Sequence, residues 1–349
     1  MRISAGRAEK FCLDVLAQLD VPEATATISA CTMVTASLRG IDSHGIALCA
    51  TYAARIRSGQ IRPQRPALVR FESCGAAHLD GQHGMGPALA CVASDLAAIK
   101  AHRNGIAAVT LADGNYVGAL AFYAERIAAQ GLLALCVTNS TPRVAPLGGR
   151  SGLHGTNPFC WSVPCDSALP MVFDAATGNA AAKVVQAADE GRPLSPGIAI
   201  DEKGSPTSDP AKAVRGTLLP VGDHLGYGMG LLVDLLTGGL AQSPMAREVP
   251  PVNFIDGPYG CSFFAMAIAP DAFGASMHDF QRRAAELAAA ARDTPPLRGW
   301  ERVRIPGDRA REEEDQRRSR GIPLHPGRWS AVLDRLRSCG LDMEDWRDP

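Results

Sequence analysis

Apolar residues recur at helical spacing through residues 8–58. Phe11, Val15 and Leu19 keep a four-residue step, and after Pro22 the series continues with Ile28, Cys31, Val34 and Leu38 before Gly40. Such spacing places apolar side chains on one helix face and predicts two helices. A third is expected to begin near His44 and to stop at Gly59, ahead of the loop GQIRPQRP. From Leu68 the period changes: Val69 and Phe71 alternate with Arg70 and Glu72. Strand-like runs at 106–111, 132–138, 159–163 and 171–173 then alternate with helical ones at 87–101, 118–130 and 179–189. A helical stretch at 226–240 precedes a strand at 261–269, a long helix at 275–292 and two more helices near 309–319 and 326–338.

This is an α/β pattern with helical ends. It divides into an N-terminal helical cap (1–66), a central α/β region (67–300, with a helical stretch about 179–240) and a C-terminal helical segment (301–349) expected to pack on the N-terminal part.

Composition narrows the function classes. The chain has 349 residues, 46% of them hydrophobic, which is ample for a substantial core. With 35 Lys+Arg against 36 Asp+Glu and no basic block, it lacks the charge that would release counterions from phosphate, so no nucleic-acid partner is expected. The run Arg309–Arg320 mixes both signs and reads as a solvated helix face. No apolar run approaches the roughly 18–20 residues of a spanning helix, so no membrane partner is expected. The N-terminus reads as the first helix of the fold rather than a signal peptide, and a cytoplasmic location is the corresponding expectation. Ten cysteines without CxxC spacing read as reduced core thiols, with no metal site among them.

Four segments could carry chemistry. Asp42-Ser43-His44-Gly45 sets a histidine among small polar residues at a loop-to-helix junction, where it could give or take a proton near neutral pH. Taken alone, those four residues favour a plain helix cap by Asp42 or Ser43. Gly81–Pro87 (GQHGMGP) is a glycine-rich turn entering a helix and reads equally as a tight turn or as a ligand loop; it does not match GxGxxG. Thr138–Arg150 and His154–Pro158 form two Gly/Ser/Thr/Asn/Pro-rich loops at strand ends, rich in amides and hydroxyls for a polar ligand such as a dinucleotide. In Phe173–Asn179 a strand ends in Asp174 and opens a helix; the carboxylate could cap that helix, meet a ribose or substrate hydroxyl, or do both.

Taken in order, RGIDSHG, DGQHGMGPALA, VTNSTPRVAPLGGR, HGTNPF, FDAATG, GIAIDEKGSPTSDP, GYGMGLLVDLLTGGL and IPGDRA…GIPL resemble the malate/L-lactate dehydrogenase type 2 family over roughly residues 5–340. That resemblance implies an NAD(P)-dependent oxidoreductase with a non-Rossmann α/β cofactor domain. It also implies a homodimer whose active site lies near the subunit interface. It makes His44 the leading catalytic residue, as proton donor. Asn139, Ser140, Thr141, Thr156, Asn157, Asp174, Ala175, Ala176, Gly307 and Asp308 match cofactor-contacting segments.

Three positions depart from the family pattern. Leu48 stands where an arginine suited to a substrate carboxylate is common, Tyr116 replaces a histidine, and Leu225 replaces a lysine, with His224 beside it as a possible substitute. Tyr116 becomes a candidate second donor, because a phenol can hydrogen-bond a carbonyl oxygen. Ser43, Leu48, Arg143 and Arg150 are the candidate substrate contacts, the two arginines being alternatives for an anionic group. The implied activity is reduction of a ketone, a 2-oxo acid derivative or a cyclic imine with NAD or NADP. The competing expectation is a family fold repurposed for non-redox chemistry or binding, on the strength of Leu48, Tyr116 and Leu225.

Overall fold

The computed structural model describes residues 1–166 and 168–346. The last three residues of the expected 301–349 segment lie outside them.

A seven-stranded sheet runs through the centre. Its strands lie in the order Leu68–Glu72, Ala76–Asp80, Ile106–Gly114, Cys261–Ile268, Leu133–Thr138, Phe159–Cys165 and Ala168–Ala175. The pairing of Ala76–Asp80 with Ile106–Gly114 is parallel and the other five pairings are antiparallel. The strand Ala76–Asp80 goes unmarked in the hydropathy pattern because its five residues, AAHLD, carry one large apolar side chain.

One face of the sheet is covered by helices Gly86–Asn104 and Ala121–Ala128, which share a core with Leu79, Val109, Leu111 and Phe263. The first of these presents Ala90, Ala93, Ala97, Ala98 and Ala101 inward, and side chains that small let a helix approach a sheet closely. Helix His224–Asp234 and its π-turn Leu235–Gly239 pack on the other face through Val233 and Leu236 against Val137 and Phe264. A three-stranded sheet, Thr217–Leu218, Ala199–Ile200 and Pro206–Thr207, forms a satellite with helices Ala181–Asp189 and Pro210–Arg215. These two-residue strands are too short to show a period.

The N-terminal helices Ala5–Ala17, Glu23–Leu38 and Leu48–Arg57 share their core with helix Pro326–Ser338: Phe11, Val15 and Leu16 meet Trp329, Leu333 and Leu336. Ser4 caps the first helix by accepting from the Arg7 amide. Arg2–Ile3 pairs with Ile322–Pro323 and draws the two ends of the chain together. The third helix starts at Leu48, four residues beyond His44, because Asp42–His44 form a 3₁₀ turn first.

The charged run becomes helix Asp308–Arg320 and is not fully solvated: Arg317 is 8% exposed, since one face docks on helix Glu23–Leu38 and on the turn after it. All ten cysteines are free; Cys31 and Cys74 are exposed, contrary to a uniformly buried set. Among the described residues, no helix is long and apolar enough to cross a membrane.

Candidate active site

His44 ends the 3₁₀ turn between helices Glu23–Leu38 and Leu48–Arg57. Its ring is half-buried, with Nδ1 2.8 Å from Ser43 Oγ and its centroid 5.8 Å from that of Tyr116, the planes 26° apart. Burial disfavours the imidazolium and pushes the His44 pKa down to about 4. The ring is therefore neutral at pH 7. Neither Asp42 nor Ser43 caps the following helix, which has no side-chain cap. Asp42 instead accepts from Arg317 Nη1 at 2.5 Å and Nη2 at 3.2 Å.

Tyr116 follows the strand Ile106–Gly114, and its carbonyl accepts from the Tyr52 hydroxyl at 3.1 Å. A Cβ on Gly86 would come within 2.1 Å of that carbonyl oxygen. Gly86, in the glycine-rich turn, thus permits a close backbone approach that seats Tyr116. Burial raises the Tyr116 pKa, and the nearby Tyr259, Cys261 and Asp174 add to the effect, so the phenol stays protonated and able to donate. Leu48 and Tyr116 both pack against the N-terminal core, making an apolar wall where an arginine is common in the family.

One residue went unsingled in the sequence. Arg55 is 1% exposed; its Nη1 donates to Asn115 Oδ1 at 2.6 Å, and the same oxygen accepts from the Tyr116 amide at 2.9 Å. Its Nη2 donates to the Val252 carbonyl at 2.9 Å, and the guanidinium lies 4.0 Å from the centroid of the Tyr259 ring. The Tyr259 hydroxyl is 3.1 Å from Thr141 Oγ1. A continuous set of contacts thereby joins Tyr116 to the polar loops. The signal was available: Cys49, Tyr52 and Arg55 follow each other at three-residue steps on the buried face of one helix, an odd place for a cation.

The loops converge. Ser140 donates its amide to Asn157 Oδ1 at 3.1 Å, and its hydroxyl is 3.3 Å from that of Thr156. The Thr156 carbonyl accepts from the Thr177 amide at 2.9 Å and hydroxyl at 3.1 Å, which ties Ala175 and Ala176 to the same cluster. Asn139 and Asn157 are fully buried and satisfied by backbone groups: Ser262 N and Pro244 O for the first, Ser140 N and Gly230 O for the second. They shape the loops. Thr141, through Oγ1, also donates to the Pro250 carbonyl at 2.9 Å.

Asp174 caps a different helix from the one it precedes. Its Oδ2 accepts from the Ala121 amide at 2.8 Å, at the start of helix Ala121–Ala128. Burial raises its pKa to about 6, against the lowering effect of its bonds to the Ala121 and Leu120 amides.

The remaining candidates are more dispersed. His224 is exposed at the start of its helix, whose Gly226 lies close against the Thr177 carbonyl. Leu225 is 62% exposed. Arg143 and Arg150 are exposed; Arg143 joins the Val144–His154 bridge through its backbone, and Arg150 lies against Gly204. Gly307, at φ +100°, and Asp308 start helix Asp308–Arg320. Their contacts run to Val172 and to Arg292, which donates to Asp308 at 2.6 and 3.1 Å, and not to the 139–157 loops.

Residues 3–333 match the malate/L-lactate dehydrogenase family. The chain is 31% identical to hydroxycarboxylate dehydrogenase B of Escherichia coli K12, covering 98% of this chain and 96% of the relative. It is 34% identical to a Δ1-pyrroline-2-carboxylate reductase of Ancylobacter novellus, covering 93% of this chain and 94% of the relative. The sulfolactate dehydrogenase structure from Methanocaldococcus jannaschii superposes with a TM-score of 0.92 at 29% identity over 99% of both chains.

Proposed function

The chain belongs to the malate/L-lactate dehydrogenase family and is a nicotinamide-dependent oxidoreductase; from that premise we propose that it interconverts a specialised hydroxy acid or amine with its 2-oxo or cyclic imine partner, with His44 moving the proton. The observation that carries this reading is the stacked His44–Tyr116 pair, joined through Tyr259 to Thr141 and the gathered loops.

The donor set suits a dinucleotide. The hydroxyls of Ser140 and Thr156 lie together, and they, Thr141 and the exposed Arg143 belong to a stretch, 138–158, that contains no Asp or Glu to repel a diphosphate. Those residues, with Ala175 and Ala176 alongside, would hold NAD or NADP without a Rossmann fingerprint. When bound, the cofactor supplies or accepts the hydride. Its binding unit is then the 67–300 region, while 1–66 and 301–349 together carry the proton-handling turn.

His44 is neutral at pH 7, so in the oxidative direction it accepts the proton of a substrate hydroxyl or amine as negative charge develops. In the reductive direction it must first be protonated, which a substrate anion nearby would favour by offsetting the cost of the buried charge. Tyr116 donates a hydrogen bond to the same oxygen or nitrogen without leaving its neutral form. Ser43 orients the ring through Nδ1. The apolar wall at Leu48 gives no bidentate grip on a carboxylate, so small 2-oxo acids are poor substrates.

We also assign a homodimer: Leu225, Leu235 and Leu240 are each 57–62% exposed along one helical stretch, an apolar strip that a second copy would cover.

The test is titration with NADH and NADPH, following nicotinamide fluorescence, and then a turnover screen with pyruvate, oxaloacetate and Δ1-pyrroline-2-carboxylate. Binding of one cofactor, with turnover of a bulkier or cyclic compound above that of pyruvate, is expected. Failure to bind either cofactor would overturn the reading in favour of a repurposed fold.

A further inference from the structure

The turn that carries His44 has few local bonds of its own. His44 donates its amide to the Ile41 carbonyl at 2.9 Å, and Gly45 donates to the Asp42 carbonyl at 3.2 Å. No apolar side chain within Asp42–His44 is buried to anchor it. Beyond these bonds and the backbone bonds that flank the turn, a further hold comes from the far end of the sequence. Arg317 donates through Nη1 to both Asp42 Oδ1 (2.5 Å) and the Ser37 carbonyl (2.6 Å), through Nη2 to Asp42 Oδ2 (3.2 Å), and through Nε to Glu313 Oε1 (2.5 Å). A guanidinium fork on a carboxylate fixes direction as well as distance.

The packing around this fork leaves little slack. Gly40 adopts φ +75°, and a Cβ there would sit 3.0 Å from Glu313 Cγ; a Cβ on Gly45 would sit 2.1 Å from Ser37 Oγ. That same Ser37 hydroxyl accepts from the Ile46 amide at 3.0 Å. Ser37, Asp42 and Ile46 therefore bracket His44, and Arg317 bonds two of the three.

We propose that Arg317 is a positioning residue for His44, acting through Asp42, so that helix Asp308–Arg320 sets the angle at which the imidazole meets its substrate. The proposal rests on the reading of His44 as the proton-moving group. An arginine that merely fastened the C-terminal helix to the body would stabilise the fold and leave catalysis alone. A positioning arginine changes kcat through His44, and its loss costs nothing further once His44 is gone.

The experiment is a double-mutant cycle in the full-length protein with R317M, H44Q and both together, read as kcat and KM with the best compound of the turnover screen. Cofactor affinity is read by nicotinamide fluorescence, and the His44 ring is read by its NMR resonance, assigned by its absence in H44Q. R317M is expected to lower kcat roughly 10- to 100-fold, the scale of a small misplacement of a reacting group. KM and cofactor affinity should stay within about twofold, the His44 resonance should move, and the double variant should turn over no more slowly than H44Q. R317K, which keeps the charge but not the fork, is expected to recover part of the loss. D42N breaks the same contact at a residue whose side chain is 56% exposed, and it replaces R317M in the cycle if that variant does not fold. Multiplying losses in the double variant, or an unmoved His44 resonance with unchanged kcat in folded R317M or D42N, overturns the proposal. Full turnover in H44Q overturns the reading of His44 itself, a separate outcome.

Discussion

The turn bearing His44 and the loops bearing Ser140 and Thr156 are held by different kinds of bond. The turn is fixed from a distance by charge: Arg317 reaches Asp42 across 275 residues, and Arg39, at the end of the preceding helix, pairs with Glu314 at 2.9 Å and Glu125 at 2.6 Å. The loops are fixed by neutral bonds: buried Asn139 and Asn157 grip backbone amides and carbonyls, and Thr177 returns to the Thr156 carbonyl. Charged forks suit a small turn that must hold one ring at one angle. Neutral amides suit loops that face a polyanionic ligand, because they give shape without adding a field of either sign. On the proposed reading, proton handling and cofactor holding are in this way separable, and each should be breakable without the other.

The largest effect is expected on the turn. His44→Gln should lower turnover roughly 10²- to 10⁴-fold, as for a lost general acid or base, with cofactor affinity unchanged in a fluorescence titration. Next comes the loop side. Gly155→Ala puts a methyl about where Ser140 Oγ (2.2 Å) and Asn157 Oδ1 (2.6 Å) now lie, so the loops must part. Cofactor affinity should fall at least about tenfold, the cost of misplacing more than one hydrogen bond, while kcat at saturating cofactor falls less; equal losses would erase the distinction between the regions.

Leu48→Arg tests the apolar wall. It should improve kcat/KM for pyruvate by roughly ten- to a hundredfold, the worth of a charge-assisted pair with a carboxylate, chiefly through KM. No gain would mean that the carboxylate of a substrate does not approach this helix. The smallest change should be Tyr116→Phe, which removes one hydrogen bond and keeps the ring against His44, costing less turnover than His44→Gln. If the order is reversed, Tyr116 is the proton donor and His44 only ends a helical turn.

The same division explains what the sequence disclosed. Helix 326–338 follows directly from its hydropathy period, since one face is buried, and strand 261–268 from an almost unbroken apolar run, since both of its faces are covered. Ala76–Asp80 and the two-residue strands escaped because a period needs more large apolar residues than they have. The polar loops were legible because their composition is local. Asp174 was legible as a capping residue but not in its target, because the helix it caps, Ala121–Ala128, precedes it by some fifty residues in sequence and meets it only in the folded sheet. Arg317 was hidden in a run of mixed charge that composition assigns to solvent, and nothing within that run marks Arg317, or Arg311 with its bond to the Pro170 carbonyl, as turning inward.

The most direct test of the account is the pH dependence of kcat/KM in both directions with one ketone–alcohol pair. A His44 held neutral down to about pH 4 must be protonated to assist reduction and unprotonated to assist oxidation. Reduction should therefore fall close to tenfold for each unit of rising pH between 5 and 8, and oxidation should stay flat over the same range, the proton that reduction consumes fixing their ratio; in His44→Gln both rates should drop and the pH slope should shift from reduction toward oxidation. A reduction profile that is flat between 5 and 8, or one that His44→Gln leaves unchanged, would contradict the assignment of the proton to this histidine.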